Sequence, residues 1–227
     1  EPNNDKTGVV FGVQDDVPRV GGNTAQRREH DKRVGRGTMS RSGATCPCCG
    51  TIMEMSDIRV EGQQGRIGTT MTAVVVEGSR GKEYRLPTDE EVEVAAAAED
   101  LLPELFDQLP YGIPQEPTPT NSQYSGVANY GFSQWSDLFI PRQLLAIGTF
   151  IKHTRAAFSE VKRAGYPNDW VEAISSMLAV SVDKLLDRQS TLCRWDVGYT
   201  KVNSSFTRFA LSMLWDFCEG NPLSDTT

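Results

Sequence analysis

Three cysteines in four positions, Cys46-Pro47-Cys48-Cys49 followed by Gly50, are the densest chemistry in the chain. A Cys-x-x-Cys turn such as Cys46 to Cys49 offers two thiolates from one knuckle, and tetrahedral zinc takes four ligands. Proline within the knuckle and glycine after it suit a turn that aims backbone N–H groups at sulfur. Cys48 is an alternative ligand to Cys49, and a thiol cluster packed in a turn is the alternative to metal. No second knuckle follows, since Cys193 and Cys218 lie far downstream in helix-like sequence. Two ligands forfeit most of the binding free energy. Zinc is therefore expected to find an incomplete site in this chain. The chain itself, opening at Glu1, is expected to be a segment of a longer protein.

Charge marks a second candidate. The stretch from Arg19 to Arg41 holds Arg27, Arg28, Lys32, Arg33 and Arg36, opposed only by Glu29 and Asp31. Beside a zinc knuckle such a run suits neutralisation of phosphates; the alternative is a solvated loop. No aromatic residue interrupts it, which argues against base stacking there. Two polar clusters lie downstream, Arg194-Trp195-Asp196 and the carboxylates Asp216 and Glu219. They read either as binding groups or as buried ion pairs and caps, Arg194 with Asp196 or Asp216 being such a pair. His153 has no ligand-type neighbour at useful spacing except Glu160, and His30 is equally unsupported. Nothing like Gly-x-Ser-x-Gly surrounds any serine, so no catalytic residue is assigned.

The elements that must position these groups fall into two halves. With 227 residues, 38% of them apolar, the chain can bury a core in one or two domains. Clustered cysteines do not resemble a disulfide framework, and a reducing cytoplasm is the expected setting. These residues carry no run of about 18 apolar positions and no charged, apolar leader, so no membrane is expected as partner. The net charge of -7 is unevenly divided: residues 1–87 carry 13 Lys and Arg against 11 Asp and Glu, whereas residues 88–227 carry 10 against 19.

Residues 1–87 read as a β-rich region containing half a zinc ribbon, with strands at 9–13, 58–60 and 71–76 and a hairpin turn at Ser79-Arg80-Gly81-Lys82. Thr88 caps a connecting helix over 88–109 that Pro103 kinks or divides. Residues 110–133 form a proline-rich loop. Residues 134–227 form a helical domain. Its elements are a short turn near 134–139, a helix opened by Pro141, a third helix capped by Asn168 or Asp169, and a last helix over 204–218. The fold class is α+β, a small zinc-ribbon-like part followed by a mainly helical domain.

Six ordered stretches carry a resemblance: residues 45–50, residues 62–75, Tyr84-Arg85-Leu86-Pro87-Thr88, Trp135-Ser136-Asp137-Leu138 through Leu145, Ser190 through Asp196, and Phe206 through Pro222 with its Trp215-Asp216-Phe217-Cys218-Glu219 core. Together they resemble the middle of the zinc-ribbon-containing adenine-specific DNA methylases, over most of the chain. In that family the S-adenosylmethionine motif lies toward the N-terminus and the Asp-Pro-Pro-Tyr motif lies after the segment matched here. Neither is present: Asn221-Pro222-Leu223 lacks the second proline and the aromatic residue, and residues 62–68 are not placed as a strand-to-helix cofactor turn.

Methylation of an adenine amine needs polar acceptors on the nitrogen and an aromatic surface for the extruded base. The resemblance therefore implies an accessory, DNA-engaging or target-recognition segment of an S-adenosylmethionine-dependent DNA adenine-N6 methyltransferase, not catalytic alone. It implies DNA and the rest of the methyltransferase chain as partners, with the cofactor bound only in the parent protein. Arg142, Gln143, Arg194 and Asn221 are the expected DNA contacts in the helical half, and Cys46 and Cys49 the metal ligands. The alternatives are a structural insertion bracing the methyltransferase domain, and a self-standing zinc-ribbon module binding nucleic acid or protein.

Overall fold

A computed structural model describes residues 1–14, 21–121, 124–207 and 209–224, so Arg19 of the basic stretch lies outside the described residues. The chain divides into two units, Glu1–Asp89 and Glu90–Thr227. The fold is α+β, with five α-helices and three two-stranded antiparallel sheets among the described residues.

In the first unit, the basic stretch is a helix rather than a loop: α1 spans Thr24–Val34. Asn23 accepts from the Gln26 N–H at 3.0 Å while Gln26 Oε1 accepts from the Asn23 N–H at 3.0 Å, a reciprocal cap that satisfies two orphan donors. Lys32 and Arg33 in its last turn face the negative end of the dipole. Strands β1 (Gly43–Thr45) and β2 (Ile52–Glu54) form a hairpin whose loop is the cysteine knuckle. Gly43 is required there: at φ +148, a Cβ would sit 2.0 Å from the Met53 carbonyl oxygen.

Helix α2 (Met55–Gln63) replaces the strand expected at 58–60 and packs back on the hairpin. The β-branched pair Ile58 and Val60 suggested a strand, but Asp57 favours a helix N-terminus and only Ile58 turns inward. Strands β3 (Val74–Gly78) and β4 (Gly81–Arg85) make the expected hairpin around Ser79-Arg80. At 9–13 the expected strand reduces to a single bridge, Val9 to Pro2. Ile58 is the one buried hydrophobic side chain among the described residues of this unit.

Helix α3 (Asp89–Asp107) passes through Pro103 undivided. Pro103 stands on the exposed face, where water can take the carbonyl its missing N–H leaves open. The opposite face buries Leu102, Leu105 and Phe106 against Leu109, Ile113, Leu144 and Leu145. Each such burial contributes about 1.5–3 kcal/mol. A one-turn 3₁₀ helix at Val127–Tyr130 lies within the expected loop, and another at Trp135–Leu138 follows it.

Helix α4 (Pro141–Arg163), with proline in its first turn, folds back on α5 (Asn168–Leu186) through a connection in which Gly165 takes φ +81. Helix α5 begins from an extended Pro167 with no side-chain cap, in place of the expected Asn168 or Asp169 cap. Gly148 of α4 lets α3 come close, since a Cβ there would lie 2.8 Å from Leu105 Cδ2.

In place of the expected last helix, no helix forms among the described residues of 204–218. A short hairpin, β5 (Arg194–Asp196) with β6 (Lys201–Asn203), precedes an irregular tail. Its backbone groups bond outward instead: Ser205 N–H to Asp187 O (2.8 Å), Leu211 N–H to Tyr124 O (2.9 Å) and Cys218 N–H to Cys193 O (2.9 Å). These long-range partners, with an edge-to-face Tyr130–Trp215 contact at 5.3 Å, outweigh helical spacing of the apolar residues. None of the described helices is long and apolar enough to cross a membrane.

Candidate functional site

In the first unit the β1–β2 hairpin holds the cysteines. The Cys46 N–H donates to Thr51 O and the Gly50 N–H to Cys46 O, both at 2.8 Å, closing a tight turn in which Gly50 takes φ +76. All three thiols are free. Cys49 Sγ lies 3.3 Å from Thr51 Oγ1, and the Thr51 hydroxyl, its backbone and the neighbouring Cys46 hold the Cys49 pKa below its ordinary value. Cys48 donates to Gly8 O at 3.3 Å; local desolvation, then Cys46, pushes its pKa up.

Cys49 is thus the knuckle thiol whose surroundings favour the thiolate, with Cys46 its neighbour across the turn. A zinc ion would find two of its four ligands there. Among the described residues no group of three or more His, Cys, Asp or Glu converges as a metal site.

Helix α1 carries Arg27, Arg28, Lys32 and Arg33, with Arg36 just beyond its end, and buries nothing. Arg28 and Lys32 share one face at i and i+4. None of these five forms an ion pair among the described residues, while His30 lies 3.5 Å from Asp31.

In the second unit, three stretches far apart in sequence meet at the base of the α4–α5 hairpin. Gln143, 1% exposed, accepts from the Ile140 N–H at 3.0 Å and donates to Glu219 Oε2 at 2.7 Å. Arg142 Nε donates to Glu219 Oε1 at 2.5 Å. Thr191 donates from both its N–H (2.8 Å) and hydroxyl (2.9 Å) to Leu138 O. The Gln189 amide donates to Gly220 O, and Ser190 Oγ lies 2.7 Å from Ser205 Oγ, itself donating to Asp187 O. Gln143, Gln189, Ser190, Thr191 and Cys193 are all buried.

Cys218 joins this hub. Burial first, then Cys193, Glu219 and Asp216, push its thiol up to about 12. Buried polar groups on this scale are stable only because each has a partner.

Of the four expected DNA contacts in this unit, two are tied into the hub and two are exposed. Arg142 and Gln143 are committed to Glu219, and Gln143 presents almost nothing to solvent. Asn221 is exposed and its Oδ1 accepts from the Leu223 N–H at 3.0 Å. Arg194 is exposed on β5, and the ion pair to Asp196 or Asp216 is not made. Asp196 instead accepts from the N–H groups of Gly198 (2.9 Å) and Tyr199 (3.1 Å), closing the β5–β6 turn. The carboxylate that matters for the hub is Glu219; its spacing from Asp216 was visible in the sequence, its partner Arg142 was not.

One larger cavity, about 360 Å³, opens beside α4, with Phe106, Trp135, Phe139, Ile147 and Phe206 in its wall and Arg155 its one charged group. Its wall is almost wholly apolar. No family model, curated protein or solved structure matches this chain.

Proposed function

We propose that this chain is a DNA-engaging accessory segment of an S-adenosylmethionine-dependent DNA adenine-N6 methyltransferase, with no methyl transfer of its own. The observation that carries the reading is the polar hub. Three of the stretches that resemble the methylase family, 135–145, 190–196 and 206–222, are linked there by hydrogen bonds: Gln143 to Glu219, Thr191 to Leu138 O, and the Cys218 N–H to Cys193 O. Residues arranged to build one rigid site are what a shared recognition element needs. The capped helix α1, with four cations in its eleven residues that form no ion pair among the described residues, supplies a phosphate-facing surface in the first unit.

The zinc reading draws support from the thin core of the first unit, where Ile58 alone is a buried hydrophobic side chain among the described residues. So small a core calls for a metal, a disulfide or a partner. Cys46 and Cys49 are the ligands this chain contributes, the remaining two coming from elsewhere in the parent enzyme or from a second copy. Free, closely spaced thiols suit a reducing cytoplasm.

Gel shift with duplex DNA, together with a methyl-incorporation assay, tests the reading. The expected result is binding that falls steeply between about 50 and 200 mM salt, with no methyl transfer. Methyl incorporation by the chain alone overturns it. Absence of DNA affinity at low salt favours the second reading, a brace for the catalytic domain. Two observations support that alternative: the excess acid of residues 88–227, and the exposed apolar side chains Trp170, Met177 and Val180 along α5. Metal analysis decides the third, since a self-standing ribbon retains one zinc per chain or per dimer.

A further inference from the structure

A second, small cavity of about 50 Å³ sits at the mouth of the β5–β6 hairpin. Arg194 lines it together with Ser204, Thr207 and Ser212 and the chain at Met213 and Leu214. No carboxylate is among the described lining residues. The acidic groups tied to these loops are turned to backbone donors: Asp196 to Gly198 and Tyr199, and Asp187 to the Phe206 N–H at 3.1 Å. Arg194 has no ion-pair partner among the described residues. The floor is rigid, because Ser205 is held from behind by Asp187 O and Ser190 Oγ.

We infer that this cleft is a single-phosphate site, taking one phosphodiester of a DNA backbone on the Arg194 guanidinium with the Ser204 and Ser212 hydroxyls as further donors. A guanidinium matches two phosphate oxygens with two parallel N–H groups, and hydroxyls complete the shell of a tetrahedral oxyanion. The volume admits such an anion and excludes a base or sugar, so the contact would set register without reading sequence. The identification of the phosphate as DNA's rests on the function proposed above; the anion chemistry rests on the cleft alone.

Two measurements separate these. In amide NMR spectra titrated with inorganic phosphate, saturable shifts are expected at 192–194, 204–207 and 212–214, lost in Arg194→Ala and kept in Arg155→Ala. In fluorescence polarisation with short duplexes of unrelated sequence, Arg194→Ala should weaken binding about tenfold for every sequence, and reduce the salt slope by about 0.9. Arg194→Lys should restore part of the affinity. Both variants alter an exposed side chain, and an unchanged thermal midpoint verifies folding.

If inorganic phosphate leaves those amides unmoved, the cleft is not a phosphate site, whether or not the chain binds DNA. If phosphate shifts them while DNA binding is intact and indifferent to Arg194→Ala, DNA is not the source and the inference fails in that part. Shifts with phosphate and no affinity for DNA at all overturn both the source and the accessory-segment reading.

Discussion

Glu219 ties two helix-borne groups to the tail: its two oxygens take Arg142 and Gln143 separately. The ion pair is partly exposed, its side chains being 28% and 26% accessible, and by itself contributes little. The Gln143 amide is different, because Gln143 is 1% exposed and without Glu219 its side-chain N–H loses its acceptor. Glu219→Ala should therefore cost about 2–3 kcal/mol in chemical denaturation, against less than about 1 kcal/mol for Arg142→Met. Equal losses in the two variants would mean the amide finds another partner.

The thiols sort by the same local logic. The thiolate is the reactive form, so at mildly alkaline pH iodoacetamide should label Cys49 first and Cys48 later. Cys218, pushed up to about 12 and only partly exposed, should be labelled after both. Peptide mass mapping over time reads the order, and prior labelling of Cys218 would contradict the hub.

At the scale of elements, α1 is the one α-helix among the described residues with nothing buried, and it stands on its cap. An eleven-residue helix without a packed face is marginal in water. Like charges at Arg28 and Lys32, spaced i and i+4, weaken it further. Anions bound along that face remove the repulsion. Adding duplex DNA at low salt should therefore raise the helical circular-dichroism signal. Asn23→Ala, which removes a cap worth about 1 kcal/mol, should lower the starting signal and leave a larger rise on addition of DNA. No change in ellipticity with DNA would separate α1 from the binding surface.

The elements also show what the sequence disclosed. Helices α3, α4 and α5 were legible because long apolar spacing and boundary residues such as Pro141 agree, and the β3–β4 turn because Gly81, at φ +122, serves it. Helix α2 was hidden, since Ile58-Arg59-Val60 is too short to reveal a period. The tail over 204–218 has helical spacing, but its N–H groups are taken by Tyr124, Asp187 and Cys193, partners that no local pattern announces. Within the site, the motif residues were visible as types. Which carboxylate meets which arginine depended on long-range folding, and so Arg142 with Glu219 was missed while Arg194 was assigned a partner it does not have.

For the whole molecule, the division at Asp89 has a convenient optical consequence: Trp135, Trp170, Trp195 and Trp215 all lie in the second unit, so tryptophan emission follows that unit alone. Cys218 makes its stability depend on alkali. The folded thiol titrates near about 12 instead of the ordinary 9.0, because burial and the neighbouring Cys193, Glu219 and Asp216 oppose the thiolate. A pKa raised by folding means the folded state holds its proton longer than the unfolded chain does. The associated stability is fully present below pH 9 and is lost as pH climbs from 9 toward 12. The guanidinium midpoint read by tryptophan emission should then fall more steeply above pH 9 in the native chain than in Cys218→Ser, whose hydroxyl does not titrate in this range. Tyrosine ionisation affects both proteins alike and cancels in the comparison. Parallel curves would show that Cys218 is solvated in solution. The tail carrying Cys218 and Glu219 would then not be closed over the hub, and the motif convergence that supports the accessory reading would be lost with it.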